Sequence, residues 1–405
     1  MAGSAMLTGP LPPDLPTLFS PGFARDPHPT LDWLREHRPV YADPMSRMVV
    51  VTRHRDCSAA LLDPGLSAAG GQAQRAQGTV RRSMLNTDGP DHARLRRPAR
   101  LLLGPDPVRL LRPAVDRQIR RLLDEAGDRE PLDLLGDVAR PAATAVLAVL
   151  LGVEEDAARA ELAAHCAATA VNLNPVQSRV VAAQGARAVR SLDRFLDRLV
   201  DAAADGSALG RLRDHPGLEP GEVTGVLELC LVGGWLPLAD VVCSLTRFAW
   251  SLDPGAGGSG GREPLGEDRL AGLLEEVLRW HTPIPFVARR ALRTVSLPSG
   301  EVPSGALVLL MLQAANRDPD VFDDPHVLSA SRGSAAGLAL GGGPHFCLGG
   351  GLVRCFAPLV VARLLEVAQP ALPAGPPTLH PGVFPRQVAS ATLRLDASRV
   401  RARAG

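Results

Sequence analysis

The chain has 405 residues, a length that at ~100–200 residues per domain allows one large domain or two to four modest ones. With 45% hydrophobic residues it can bury a large core without disulfide or metal staples, and it is too apolar to be wholly disordered. The 44 basic side chains, all arginine, nearly balance 43 acids, so the net charge of +1 gives no field for wholesale binding to nucleic acid or to a membrane surface.

Residues 1–30 are rich in proline and glycine and are expected to form an extended arm. Val40–Ala42 and Met48–Thr52 read as short strands around a Pro44-Met45-Ser46 turn. From about residue 90 the pattern becomes helical, with Asp106-Pro107 as a cap and first helical position. Apolar residues recur at i, i+3, i+4 in Ala114–Leu123, Ala142–Leu151, Asp156–Ala170 and Gln184–Ala203. A long helix is predicted over Glu219–Ser251 and another over Glu267–Trp280. Two β-like pieces follow, Val295–Leu297 and Ala306–Leu310, then a last helix near Leu352–Ala368. Gly255–Gly261 holds a formal Gly-x-Gly-x-x-Gly, but no strand precedes it, so it reads as a linker. The fold class is mainly α with small β-sheets.

The most apolar stretch, Val223–Leu245, carries Glu228, Pro237 and Asp240, which favours a buried helix over a membrane span. No basic region followed by an apolar run marks the N-terminus as a signal peptide, so a cytoplasmic protein is expected. Six scattered cysteines, Cys57, Cys166, Cys230, Cys243, Cys347 and Cys355, do not form a secreted disulfide framework.

Chemistry concentrates at Gly341-Gly-Gly-Pro-His-Phe-Cys347-Leu-Gly349. Glycines let the backbone approach a flat ligand and free its amides. A cysteine just before a helix has its thiolate favoured, which suits a metal ligand or a nucleophile. A zinc site from His345, Cys347 and Cys355 would need a fourth ligand, and none is near. A Cys–His hydrolase would need His92 or His281 as base, and nothing ties either to Cys347. Other segments accompany the loop. Glu276 and Arg279 sit three apart, a spacing that alone reads as a surface ion pair. Ala315-Asn-Arg-Asp-Pro319 and Arg332 follow, and upstream His92 and Arg96 share a helical face.

In this order and spacing, the segments resemble the cytochrome P450 family of haem-thiolate enzymes, in its soluble bacterial branch, over about residues 20–400. Gly341, Gly343, His345, Cys347 and Gly349 match the family's cysteine loop, with Leu340 where phenylalanine is usual. The resemblance implies a single domain over residues 1–405, with haem b lying between the long central helix and the cysteine loop. Cys347 would be the axial iron ligand, and His92, Arg96, Arg289 and His345 would hold the haem propionates. Glu276, Arg279 and Arg332 would form a buried network beneath the loop. The implied enzyme is a monooxygenase or related oxidoreductase. It would be monomeric and take electrons from a separate ferredoxin and reductase, or use peroxide. An acidic ferredoxin would dock on Arg94, Arg97, Arg100 and Arg354.

One segment departs from the family pattern. Where the long helix usually carries an acid and a threonine that pass protons to the oxygen chemistry, this chain has Gly233-Gly234-Trp235-Leu236-Pro237. Pro237 removes an N–H and frees the carbonyl of Gly233. Asp240, one turn on, either serves through water or pairs elsewhere. Trp235 either lines the distal pocket or packs in the core. The open consequences are a substrate that supplies the hydroxyl, an oxidation, coupling or rearrangement with less need of protons, or peroxide as oxidant. A pocket lined by residues within Leu66–Leu85 (Leu85 among them), Ala167–Asn174, Gly233, Gly234, Trp235, Ile284–Phe286 and a turn near Ala389 would take a small, apolar or carrier-tethered molecule of bacterial secondary metabolism. The alternative from another class is a homologue without catalysis that acts as protein partner of a glycosyltransferase.

Overall fold

The structure, a computed structural model, describes residues 7–69, 83–127, 131–173, 179–252, 265–332, 337–370 and 392–395. Its strands are β1 (Leu7–Thr8), β2 (Val40–Ala42), β3 (Val49–Val51), β4 (Leu66–Ser67), β5 (Leu132–Asp133), β6 (Val287–Ala291), β7 (Val295–Leu297), β8 (Gly300–Val302), β9 (Leu307–Leu310), β10 (Ala368–Pro370) and β11 (Thr392–Leu395). The chain divides into two compact units, the first Met1–Arg97, Leu278–Cys347 and His380–Arg386, the second Pro98–Val277, Leu348–Leu379 and Gln387–Gly405.

The first unit is built on a six-stranded mixed sheet of order β1-β2-β3-β9-β6-β4. Alternate residues of a strand face opposite ways, so Val49 and Val51 enter one apolar cluster while Val50 enters the other. Cys57, Ala60 and Leu61 of helix His54–Leu62 cover one face, together with the β7–β8 hairpin. Phe23, Leu31 and Leu34 cover the other. A run of three consecutive valines is what a strand buried on both faces requires.

The expected extended arm over residues 1–30 gives way to helix from Pro21 on, while residues 7–20 carry no helix and residues 1–6 lie outside the described residues. Pro21–Arg25 is a helical turn, capped by Ser20 Oγ accepting from Phe23 N at 3.2 Å, and His28–His37 is a helix. Pro21 and Pro29 lie in first turns, where a missing N–H costs nothing, and Pro27 caps the second helix.

The second unit is helical. Pro105–Ala126, Arg140–Leu151, Asp156–Thr169, Arg179–Asp201 and Gly350–Val367 accompany the long helix Pro220–Leu252, and β10-β11-β5 forms a small sheet. The first of these starts at Pro105 with Gly104 as cap, earlier than the Asp106-Pro107 expected, because proline is equally at home one position in. The long helix packs on Arg140–Leu151 and Gly350–Val367. Its most apolar window and that of Leu134–Leu151 are 72% and 67% buried, as core helices are. An ion network ties three helices of this unit. Arg363 reaches Asp116 at 2.6 Å, Glu366 at 2.8 Å and Glu267 at 3.5 Å; Arg120 reaches Asp116 at 3.1 Å, and Arg112 donates to Glu267. Gly255–Gly261 and Ala389 lie outside the described residues.

Candidate active site

In the first unit the cysteine loop is a tight turn. Cys347 N–H donates to Leu340 O at 2.9 Å, and Gly341 N–H to Leu338 O at 2.9 Å. Gly341 and Gly343 have φ of +72° and +63°. At Gly343 a Cβ would stand 2.6 Å from Leu61 O, so only glycine lets the loop rest on helix His54–Leu62. Cys347 is half-buried, and the helix Gly350–Val367 begins three residues on.

The two expected histidines meet beside it. The rings of His92 and His345 lie 4.2 Å apart between centroids. His92 and Arg96 lie on helix Gly89–Leu103, and Arg96 Nη2 donates to Phe346 O at 2.5 Å. Arg289 on β6 is 6% exposed and donates to Ala288 O at 2.9 Å. Asp88, which sequence reasoning passed over, organises the group. It accepts from Ser67 Oγ at 2.5 Å, from the N–H groups of Ala68 and Ala69 at 3.1 and 3.3 Å, and from His345 Nε2 at 3.2 Å. Burial alone would raise the Asp88 carboxyl, but these donors outweigh it and hold it below the usual range. Burial, then the charges of Arg289 and His92, pull His345 down to about 4 against the opposing influence of Asp88.

Two features of this cluster are unfinished. His92 Nε2 is buried with no partner. Arg289 is desolvated enough to lower its pKa, with Asp88 as the acid among the described residues that opposes this. A buried guanidinium with one backbone acceptor and a buried imidazole nitrogen without a partner fit an incoming carboxylate. With a half-buried cysteine one loop away, the set fits haem and its propionates.

Of the expected network, Arg279 donates to the carbonyls of Asn316, Pro325 and Val327 at 2.9, 2.8 and 3.1 Å. Arg332 reaches the same Val327 carbonyl at 3.5 Å, and Glu276 is buried. A further residue frames the loop. Asn316, fully buried, donates to Thr282 Oγ1 at 2.8 Å and accepts from Leu338 N–H at 2.7 Å. Its signal was the Ala315-Asn-Arg-Asp-Pro319 segment, to which the sequence alone gave no role.

In the second unit the long helix is buried on nearly all sides. Between Glu222 and Trp250, Leu229, Val232, Gly233, Gly234 and Pro237 are not buried and form one stripe, with half-buried Arg247 further along. The stripe carries no acid and no hydroxyl. Trp235 is not on it: its indole N–H donates to Thr144 Oγ1 at 2.9 Å, the ring is 5% exposed, and Arg140 stands over it at 5.8 Å. Packing onto Arg140–Leu151 thus buries Trp235 among the helices of this unit. Asp240, three residues after Pro237 and seven after Gly233, continues the same helical face but is 2% exposed.

Phe286 differs from expectation too. It is 3% exposed and packs at 6.0 Å on Phe19 in the core of the first unit. Leu85 and Ile284 remain accessible. Arg97 and Arg100 are exposed, but Arg354 is engaged by Glu275 through two bonds of 2.6 and 3.1 Å, which reduces its value to an acidic partner.

Comparison with known proteins agrees with this chemistry. Residues 270–374 match the family model described as Cytochrome P450. Cytochrome P450 107B1 of Saccharopolyspora erythraea is 30% identical over 389 residues, which span 89% of this chain and 92% of that protein. The cytochrome P450 monooxygenase PikC of Streptomyces venezuelae is 30% identical over 359 residues, 85% of this chain and 84% of its own. The bacillaene polyketide synthase cytochrome P450 PksS of Bacillus subtilis shares the fold with a TM-score of 0.80 at 23% identity, over 94% of this chain and all of that one. The chain belongs to the cytochrome P450 family of haem-dependent oxidoreductases and monooxygenases.

Proposed function

We propose that this protein is an oxidative tailoring enzyme of bacterial secondary metabolism, acting on a small and mainly apolar molecule without an acid or alcohol in the Gly233–Pro237 segment of the long helix. The observation that carries this reading is the open stripe Leu229, Val232, Gly233, Gly234 and Pro237, which has neither acid nor alcohol. The substrate or water then supplies the proton, or the reaction is an oxidation, coupling or rearrangement that needs fewer of them. Cytoplasmic residence, a monomeric state and one domain over residues 1–405 belong to the same proposal.

Bound haem supplies the oxygen chemistry. Cys347 would hold it from the loop that Gly343 and the Leu340 carbonyl keep in shape. His92, Arg96 and Arg289 would meet its carboxylates, and Asp88 fixes the ring of His345 beside them. Arg279, Arg332 and Asn316 hold the chain before the loop. Exposed Arg97 and Arg100 would receive a separate acidic electron donor. A role only as protein partner of a glycosyltransferase would not need Cys347 and an unfinished carboxylate cluster, both of which this chain keeps.

The test is turnover driven by a bacterial ferredoxin and its reductase on apolar probes with and without a hydroxyl, with electrons counted as product or hydrogen peroxide. Hydroxyl-free probes should lose most electrons to peroxide, and a Leu236→Asp, Pro237→Thr variant should recover them. Efficient coupling by the parent on hydroxyl-free probes, unchanged in the variant, would overturn the reading.

A further inference from the structure

Helix Arg179–Asp201 of the second unit has two unlike faces. Leu192, Phe195 and Leu196 are buried on one side. The other side is exposed and carries Arg187, Arg190, Arg194 and Arg198. Spacings of three and four residues align them in one row about 16 Å long.

The surroundings do not neutralise this row. Among the described residues, Arg187, Arg190 and Arg194 form no ion pair, and Arg198 shares Glu161, at 2.7 Å, with His165, at 3.4 Å. Of the two acids within the same span, Asp193 is buried and Asp197 accepts from Thr224 Oγ1 at 2.6 Å. Other surface arginines of this unit are matched. Arg121 meets Glu125 and Asp156 at 2.6 and 3.1 Å, and Arg213 meets Asp205 and Asp214, both at 2.8 Å. Like charges three or four residues apart weaken a helix, so the row opposes the stability of its own element.

Carboxylates at the same one-turn spacing on another helix would relieve that repulsion, each guanidinium fork taking one carboxylate. A lipid surface fits less well, because a helix lying on a membrane turns its apolar face outward and this one turns it into the core. A net charge of +1 gives no field to hold nucleic acid. Val180, 67% exposed on the same face at the head of the row, adds the apolar contact that a protein interface uses.

We propose that this arginine row is a docking surface for an acidic helix of a carrier protein that holds the substrate by a covalent tether. The inference rests on the tailoring reading above, and it names the form in which the substrate arrives. A tethered substrate is presented by a protein, so part of its recognition falls on protein surface. Contacts between exposed charges form fast and weaken with salt, which suits a carrier that leaves after each turnover.

The experiment uses the haem-loaded full chain, a fluorescently labelled bacterial acyl carrier protein charged with a decanoyl chain, and free decanoic acid. Carrier binding is read by anisotropy at low salt and at about 0.15 M, and entry of the chain by the shift of the haem absorption band. The carrier should bind, with affinity falling roughly ten-fold across that salt range. The double variant Arg187→Glu, Arg194→Glu should lose roughly ten-fold or more at low salt, with its thermal midpoint and its response to free decanoate unchanged. Arg109→Glu with Arg211→Glu changes net charge equally off the row and should leave carrier affinity as it was. Absence of carrier binding, or binding that survives the reversal on the row, or a loss equal in the control, overturns the docking surface. A response to free decanoate then leaves the tailoring reading standing. Loss that falls instead on phosphatidylglycerol vesicles or on the ferredoxin assigns the row to a membrane or an electron donor and overturns the proposal too. If neither free nor tethered chain shifts the haem band, the reading of an apolar substrate fails as well.

Discussion

The indole N–H of Trp235 donates to Thr144 Oγ1 across 2.9 Å, and this bond turns the bulkiest side chain of the glycine–proline segment into the helix packing. Trp235 is therefore a structural residue. Trp235→Phe keeps most of the packing and loses the bond, which should cost about 1 kcal/mol, while Trp235→Ala should cost about 3–5 kcal/mol. Denaturant unfolding measures both, and azole affinity of the Phe variant should match that of the parent.

Arg289 gives a prediction of opposite signs. Its guanidinium is buried with one backbone acceptor, so the haem-free protein carries its desolvation cost. Arg289→Met should stabilise the haem-free chain by about 1 kcal/mol or more. The same change should speed haem loss roughly ten-fold or more, the worth of a charge-assisted bond to a carboxylate. Thermal midpoints of the haem-free forms and haem transfer to apomyoglobin are the two readings.

Loop geometry can be tested at Gly343. Its φ of +63° and the approach of Leu61 O leave no room for a methyl group. Gly343→Ala should cost about 1–2 kcal/mol from the backbone conformation alone, and more from the approach of Leu61 O. The reduced carbon monoxide spectrum should lose its thiolate character as Cys347 is displaced, whereas Gly351→Ala, open around its Cβ, should leave that spectrum intact.

Asn316 should behave as a hidden support of the same loop. Asn316→Ala leaves the buried Leu338 N–H without its acceptor, at a cost of about 1–3 kcal/mol. Both unfolding midpoint and haem retention should fall, although the side chain lies on neither the ligand nor the loop glycines.

The His345 imidazole sets a pH dependence. Burial, then Arg289 and His92, depress it from the ordinary 6.5 to about 4 in the folded chain. The unfolded chain takes up a proton near pH 6.5 that the folded one refuses until about pH 4. Folded stability is thus fully present above that window and falls as the pH drops through it. The thermal midpoint of the haem-free protein should decline between these values, and less so in His345→Asn. Haem should flatten the decline, because anionic propionates favour the imidazolium.

Much of the fold was legible because it is written in local patterns. The long helix was placed within one residue at each end, its long and mainly apolar run being set off by prolines and glycines. The cysteine loop was legible because glycines at fixed spacing answer to positive φ and close approach. What stayed hidden depends on partners distant in sequence. Side chains turn by ~100° per residue around a helix, so the facing of Trp235 is decided by where Thr144 lies, not by its neighbours in the chain. Strand β6 reads Val-Ala-Arg-Arg-Ala, and the burial of Arg289 runs against its polarity. Asp88 and Asn316 act through bonds to residues 19 or more positions away, and no periodicity announces such bonds.

Arg112, Arg120 and Arg363 bind Asp116, Glu267 and Glu366 using guanidinium alone, in a chain without lysine. An ammonium clamp would dissolve as alkali stripped its proton, whereas guanidinium holds its charge beyond pH 12 or so. The fastening of those three helices is consequently indifferent to base. Reagents that seek amines, such as succinimidyl esters or acetylating agents, have no side chain here to attack, and the clamp passes through such treatment unmarked.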